Sequence, residues 1–293
     1  MTPPPASADD RAARRAAHYA HCEQLVREAD RDRWLASLFA PADKRPHLHA
    51  LAAFTIEVAR VRDLVSDPAP GEIRLQWWVD AIEGETRGDV HAHPVADALI
   101  DTIRRFRLPR RALTDLVEAR RFDLYDDPMP DTESLEAWCG HTSSVPIRLA
   151  SLILADGRDP GGADCAGFAG VAIGITTLLR NFARYAGHGR LYVPVDVLAA
   201  QGLTPAAALT RPAPAGLAAA LAVLRDLARR RLGEAKESLA GVAPEARAAF
   251  LPLATAPLYL DALDRIRAPY EPVPSVAQWR RQWAIWRMAR RIR

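Results

Sequence analysis

Apolar positions recur every three to four residues along almost the whole chain, and strand-type alternation is nearly absent. Ala, Leu and Arg dominate the composition, and all three tolerate a helix well. The pattern predicts helices near 11–39, 47–66, 72–88, 93–106, 110–126, 132–156, 162–187, 213–240, 244–267 and 275–290. Breakers stand at their ends: Pro41 and Pro46, Pro68 to Gly71, Pro94, Pro109, Pro128 to Pro130, and Pro160 to Gly162. Asp131-Thr-Glu-Ser-Leu-Glu reads as a helix start with acids in its first turn. The Ala/Pro-rich stretch 204–219 reads as a surface connection, too short to separate two domains. Gly170 and Gly174 are expected to let a central helix pass close to its neighbours. No internal repeat stands out. The expectation is one all-α domain over 11–270, with a disordered arm over 1–10 and a basic Trp/Arg amphipathic tail over 271–293.

Composition narrows the class. With 293 residues, 49% apolar and 26% charged, the chain is close to an average globular protein, which excludes a disordered chain, a collagen and a coiled-coil rod. Its length suffices to bury roughly three quarters of the unfolded surface without staples. Lys+Arg 39 against Asp+Glu 36 leaves +3, too mild a charge to imply nucleic acid. Cys22, Cys139 and Cys165 have neither a disulfide nor a zinc spacing and read as reduced, partly buried thiols in a reducing compartment. The longest uncharged apolar run, Cys165 to Leu179, is shorter than the roughly 20 residues of a membrane span. The first ten residues lack the apolar centre of a signal peptide. A cytoplasmic protein is expected, with peripheral attachment to the inner face of the membrane left open. The pairs His47/His49 and His91/His93 have no third ligand at suitable spacing, and His18 and His21 read as surface residues. There is no phosphate-binding loop and no Ser/His/Asp order.

Three segments carry chemistry. The first runs from Ala50 through Phe54, Glu57, Arg60, Arg62 and Asp63 to Pro68. The second is Gly71-Glu-Ile-Arg-Leu-Gln-Trp-Trp-Val-Asp-Ala-Ile. The third runs from Gly170 through Leu179-Arg180-Asn181 and Arg184-Tyr185 to Gly189-Arg-Leu-Tyr-Val-Pro-Val-Asp196. Together, from about Arg33 to about Pro269, they resemble the squalene/phytoene synthase family. The most specific part is the Gly-Arg-x-Tyr-x-Pro-x-Asp run behind a helix that ends in Leu-Arg. The resemblance implies an isoprenoid-synthase-like helical bundle around a central cavity. Enzymes of that family join two prenyl diphosphates. Two Asp-rich helices hold Mg²⁺, a hard ion that takes oxygen ligands, and this lowers the cost of diphosphate departure.

Against that pattern the chain departs. In the second motif the family's first Asp falls on Asn181 and its Glu-Asp pair on Arg184 and Tyr185, while Arg180, Arg190, Tyr192 and Asp196 are kept. In the first motif two registers are open. One puts the Asp positions on Ala59, Arg60 and Asp63, the other on Arg62, Asp63 and Ser66 with Asp67 at the Glu position. Asp63 and Asp67 keep an i,i+4 spacing and are the Mg²⁺ candidates; the alternative is a solvated helix end before a Pro-rich turn. In Trp138-Cys-Gly-His-Thr-Ser-Ser-Val-Pro the channel glycines of the enzymes are missing, and Pro146 is expected to alter the helix. The run Ala53-Phe54, Glu57, Ala59 to Asp63, with Arg74-Leu-Gln-Trp-Trp78, resembles the branch that includes the mitochondrial assembly factor for respiratory complex I and its bacterial homologues. This resemblance implies a non-catalytic binding or assembly factor. Such a factor needs no cofactor, its partners are respiratory-complex subunits or assembly proteins, and its cavity is open to a prenyl or other apolar ligand. The alternative is an active prenyltransferase of squalene/phytoene type with altered Mg²⁺ ligands.

The tail from Ser275 carries Arg280, Arg281, Arg287, Arg290, Arg291 and Arg293 and no acid. Trp279, Trp283 and Trp286 form one helical stripe beside Val276, with Arg280, Arg287 and Arg291 on an adjacent strip. Three occupants of that stripe are open: the chain's own core, an anionic membrane surface, or a protein partner. Nucleic acid is not expected, since no RNA-binding signature accompanies it.

Overall fold

The computed structural model describes residues 8–85 and 89–292. In chain order the helices are α1 (Ala8–Ala29), α2 (Arg31–Ser37), α3 (Arg45–Arg60), α4 (Pro68–Glu83), α5 (Pro94–Phe106), α6 (Arg110–Arg121), α7 (Thr132–Cys139) and α8 (Val145–Leu154). They continue with α9 (Ala163–Arg180), α10 (Phe182–Gly187), α11 (Val195–Ala199), α12 (Pro205–Ala208), α13 (Leu217–Ser238), α14 (Ala256–Leu263) and α15 (Gln278–Arg291). No strand occurs among the described residues. The bundle is all-α, as the periodicity predicts. Of the expected arm, residues 1–7 lie outside the described residues, and Ala8 to Asp10 already belong to α1.

Several long helices expected from the sequence are interrupted, each for a local reason. The one expected over 11–39 breaks at Asp30, whose backbone leaves helical geometry and whose side chain caps α2 by accepting from Arg33 N at 3.1 Å. The one expected over 47–66 closes at Arg60. A 3₁₀ turn over Val61–Leu64 follows, then extended Val65. Pro68, expected as a breaker, instead opens α4, because a proline at the first turn forfeits no hydrogen bond. The end of the helix expected over 72–88 falls on residues 86–88, outside the described residues; α4 itself closes at Gly84 with φ +89. The helix over 132–156 carries one wide turn, Gly140–Ser144, ahead of Pro146, which has no N–H to continue a regular ladder. The helix over 162–187 is broken at Asn181. The helix over 244–267 is a 3₁₀ run over Pro244–Thr255 containing Pro252, and only then α14. The connection over 204–219 includes α12, and α11 has no counterpart among the expected helices.

Two large apolar clusters build the core. Phe54, Leu75, Leu99, Leu113 and Ile153 knit α3, α4, α5, α6 and α8; Leu135, Ala169, Ile175, Ala228 and Phe250 knit α7, α9, α13 and the 244–255 segment. Fully burying one of these Leu, Ile or Phe side chains stabilises the fold by about 1.5–3 kcal/mol. α9 runs along α13 on one side and the wide turn 140–144 on the other. The close approach requires its glycines: a Cβ on Gly170 would run into the Ser144 backbone, and one on Gly174 would sit 2.7 Å from Cys139 Sγ. By length and composition α9 could cross a membrane, but 61% of it is buried inside the bundle, where it serves as a core helix. The three cysteines are free and buried, and burial raises the thiols, Cys22 and Cys139 to about 12 and Cys165 to about 11.

Candidate functional site

Between the two clusters lies a cavity of about 610 Å³. Its floor is apolar, with Leu51, Ile147, Ala150, Ile173 and Leu178 among the lining residues. Its polar wall holds seven arginines, at 33, 60, 62, 120, 180, 184 and 190, against four aspartates, at 30, 32, 63 and 123. α2, α3, α6, α9 and α10 deliver most of these groups, so the wall unites segments far apart in sequence.

Each aspartate is already occupied. Asp30 lies 3.3 Å from Arg33 Nε, and Asp32 accepts from Arg281 and from the Tyr259 hydroxyl. Asp63 accepts from Arg190 Nη2 at 2.8 Å, with Arg184 Nη1 3.7 Å from its other oxygen. Asp123 accepts from Arg120 at 3.0 Å and from the Tyr192 hydroxyl at 2.8 Å. Burial first, and the adjacent Asp123 charge second, raise Tyr192 well above an ordinary phenol, so it stays a donor. Burial works hardest against the Arg190 charge, but the hydrogen bond and charge of Asp63, with Tyr192 and Tyr185 beside it, together outweigh it and hold the guanidinium above its usual value.

The residues singled out in the sequence take these places. Asn181 sits in the break between α9 and α10 and donates its amide to Thr177 O at 2.8 Å, finishing α9. The Arg180 guanidinium lies 3.5 Å from the Tyr259 ring centre. Arg184 lies over Tyr185, and Tyr185 meets Tyr192 edge to face at 5.1 Å. Asp67 is exposed at the start of α4 and does not line the cavity. Because α3 ends at Arg60, the i,i+4 spacing of Asp63 and Asp67 does not place them on one helix face. Asp196 is structural: it accepts from Thr132 N at 3.2 Å and from Thr132 Oγ1 at 3.0 Å, tying α11 to the start of α7. His18 is not a surface histidine, since its Nδ1 lies 2.9 Å from Asp97 Oδ2 in a partly buried pair. His91 joins the same carboxylate at 2.5 Å, and His93 caps α5.

Arg33, Arg120, Asp30, Asp32 and Asp123 were not singled out in the sequence; they lie outside its three motif segments. They belong to the site by geometry alone. So do four of the five buried side-chain donors that have no protein acceptor among the described residues: Nε of Arg62, Arg120 and Arg190, and Trp138 Nε1 line the cavity, while the fifth, Nε of Arg281, lies outside it. Buried donors ordinarily find partners, and these four make the cavity wall rich in N–H groups open to an acceptor. Arg60 and Arg180 have no carboxylate partner among the described residues.

Mg²⁺, which the family resemblance implies, does not fit this donor set. It needs several free oxygen ligands. Here Asp63 is covered by two cations, Asn181 is turned to its own helix, and Arg184 and Tyr185 offer no carboxylate. Among the described residues no three His, Cys, Asp or Glu side chains converge. The wall is chemically suited to an anion, which arginines grip with paired hydrogen bonds.

Comparison with known proteins agrees on the ancestry. Human and rat proteins named NADH dehydrogenase (ubiquinone) complex I, assembly factor 6 are 31% and 28% identical over 187 and 246 residues. The matches cover 64% and 84% of this chain. The chain spans only 55% of the human relative's length and 74% of the rat one's. In structure, a dehydrosqualene synthase solved with a ligand superposes with a TM-score of 0.77 at 20% identity, over 96% of this chain and 98% of that one, which shows the shared fold. The sequence pattern of squalene/phytoene synthases matches residues 26–287. The chain therefore belongs to the squalene/phytoene synthase family, and the cavity in its bundle is walled by seven arginines against four aspartates.

Proposed function

We propose that this protein works by binding rather than turnover, as an assembly factor in the biogenesis of respiratory complex I. Its cavity takes an anionic head with an apolar tail and needs no metal ion. One observation carries the reading: Asp63, the one acid kept at the motif's place in the cavity, is clamped by Arg190 and Arg184. An allylic diphosphate ionises readily when divalent cations neutralise the departing charge. Here the residues that would hold those cations are absent or already spent on arginines. The relatives named as complex I assembly factors support the biological role. The same reading puts the chain in a reducing compartment, consistent with three free thiols, beside the membrane where complex I is built.

The test has two arms. Deleting the gene should lower NADH:quinone activity of the membranes and leave complex I incompletely assembled; normal assembly counts against the role. Incubating the protein with Mg²⁺ and farnesyl or geranylgeranyl diphosphate should release no pyrophosphate above the rate without protein. Release abolished by Asp63→Ala would instead establish a prenyltransferase with altered ligands.

A further inference from the structure

Helix α15 has two apolar sides, and the fold uses only one of them. Ile285 and Ala289 are buried at 1% and 3% exposure against Ala36 of α2 and Leu251, with Met288 and Ile292 packed beside them. Arg281 pins the same side by its ion pair with Asp32, which lines the cavity. At 100° per residue, Trp279, Trp283 and Trp286 fall about 120°, 160° and 100° round the helix from Ile285, away from its buried side. They are left in solvent at 68%, 56% and 38% exposure.

Three outward indoles on one short helix are unusual for a surface that meets only water, because each is a large apolar group with a single polar edge. Trp283 and Trp286 are stacked at 4.8 Å, and the Arg290 guanidinium lies over Trp286 at 4.9 Å, so the stripe is preassembled. Arg280, Arg287 and Arg291 flank it and have no carboxylate partner among the described residues. No acid occurs between Ser275 and Arg293. The partner must therefore offer a broad apolar layer beneath a dense anionic one. A protein groove seldom supplies so unbroken a negative rim, whereas the surface of an acidic bilayer supplies both layers by construction.

We propose that the outer face of α15 docks the protein on an anionic lipid bilayer. The three indoles enter the headgroup region and the flanking arginines meet lipid phosphates and carboxylates. The helix lies in the plane of the interface, as its length and strongly charged composition require. This proposal is independent of what the cavity binds.

The experiment is co-sedimentation of the full chain with vesicles of phosphatidylcholine alone and of an equal mixture of phosphatidylcholine and phosphatidylserine. The protein should pellet with the mixed vesicles, not with the neutral ones, and less so as salt rises. Replacing Arg280, Arg287 and Arg291 by Gln together should weaken binding about hundredfold, since each basic residue near an acidic surface contributes roughly a fivefold gain. Replacing Trp279, Trp283 and Trp286 by Ser together should abolish pelleting. All six side chains lie off the buried face, so thermal melts should match the parent and exclude misfolding as the cause. The proposal is overturned if the parent chain stays in the supernatant with mixed vesicles, as a protein-binding stripe would. Equal pelleting with neutral vesicles, or variants that pellet like the parent, overturns it as well.

Discussion

Arg190 Nη2 lies 2.8 Å from Asp63 Oδ1 and joins segments 127 positions apart. In a metal-dependent diphosphate site an acid at this place would face an ion. Here it faces a guanidinium that is itself only 12% exposed, with Arg184 approaching from the other side. The pair is an internal neutralisation: Asp63 stands where a bound anion would compete for Arg190.

This relationship has a directional consequence. Asp63→Asn should tighten binding of inorganic pyrophosphate in the presence of EDTA. The gain should be about fivefold, given an acid more than a third exposed and screened by solvent. Isothermal titration of parent and variant measures it. If Asp63 served as a metal ligand the substitution would weaken binding, and only in Mg²⁺; that pattern would sink the metal-free reading.

The second prediction concerns the passage of α9 past the wide turn. Gly170→Ala forces its methyl group into the Ser144 backbone, which has no flexible end to move aside. The expected loss is about 1–3 kcal/mol in urea unfolding. Gly167 lies one turn earlier on the same helix with nothing within 4 Å of its Cβ position. Gly167→Ala should therefore be neutral or stabilising by up to about 1 kcal/mol, through helix propensity. Similar effects at both positions would mean that α9 does not run this close to residues 140–144.

These two cases show what the sequence carried and what it hid. A sustained 3.6-residue apolar period identifies α5, α6 and α13 directly, because each buries one face over several turns. Interruptions of one residue, at Asp30 and Asn181, leave that period almost undisturbed; a cap and a tertiary contact decide them. Arg180, Arg184 and Arg190 were legible as motif positions. Arg120 and Asp123 were not, since they reach the cavity from α6 and the turn after it, and no local pattern marks them. The tail was ambiguous for a physical reason: its Trp stripe and its Ile285/Ala289 side are both apolar at helical spacing, and only packing shows which is buried.

A third prediction concerns His47, which is 6% exposed and lies 2.9 Å from both the Tyr19 hydroxyl and Thr102 Oγ1. Burial lowers it to about 4, and the nearby Arg105 charge adds to that. The unfolded chain keeps an ordinary histidine near 6.5, so between those values the unfolded state binds more protons. Stability should thus be complete above pH 6.5 and decline as pH falls towards 4, by on the order of 3 kcal/mol. His49, also lowered by burial, acts in the same direction. Urea midpoints across that range, with His47→Gln as reference, measure the effect. A slope equally steep in the variant would assign the acid sensitivity to other groups.

The last prediction tests the seat of α15. Arg281 and Asp32 are 19% and 13% exposed, and the Tyr259 hydroxyl donates to the same carboxylate. Arg281→Ala removes the cation and leaves Asp32 half-satisfied beside the cavity, a worse state than losing both partners. The cost should be about 2 kcal/mol, and it should appear first as lost amide protection along α15, because the helix is otherwise held by a small apolar cluster. Arg281→Ala with Asp32→Asn should recover part of the loss, since the stranded charge is gone. Arg287→Ala, on the outer side of the helix, should change stability by less than about 0.5 kcal/mol. Hydrogen exchange on the three variants separates the outcomes: equal protection of α15 in all of them would show that the ion pair contributes nothing to the docking and that Ile285 and Ala289 hold the helix alone.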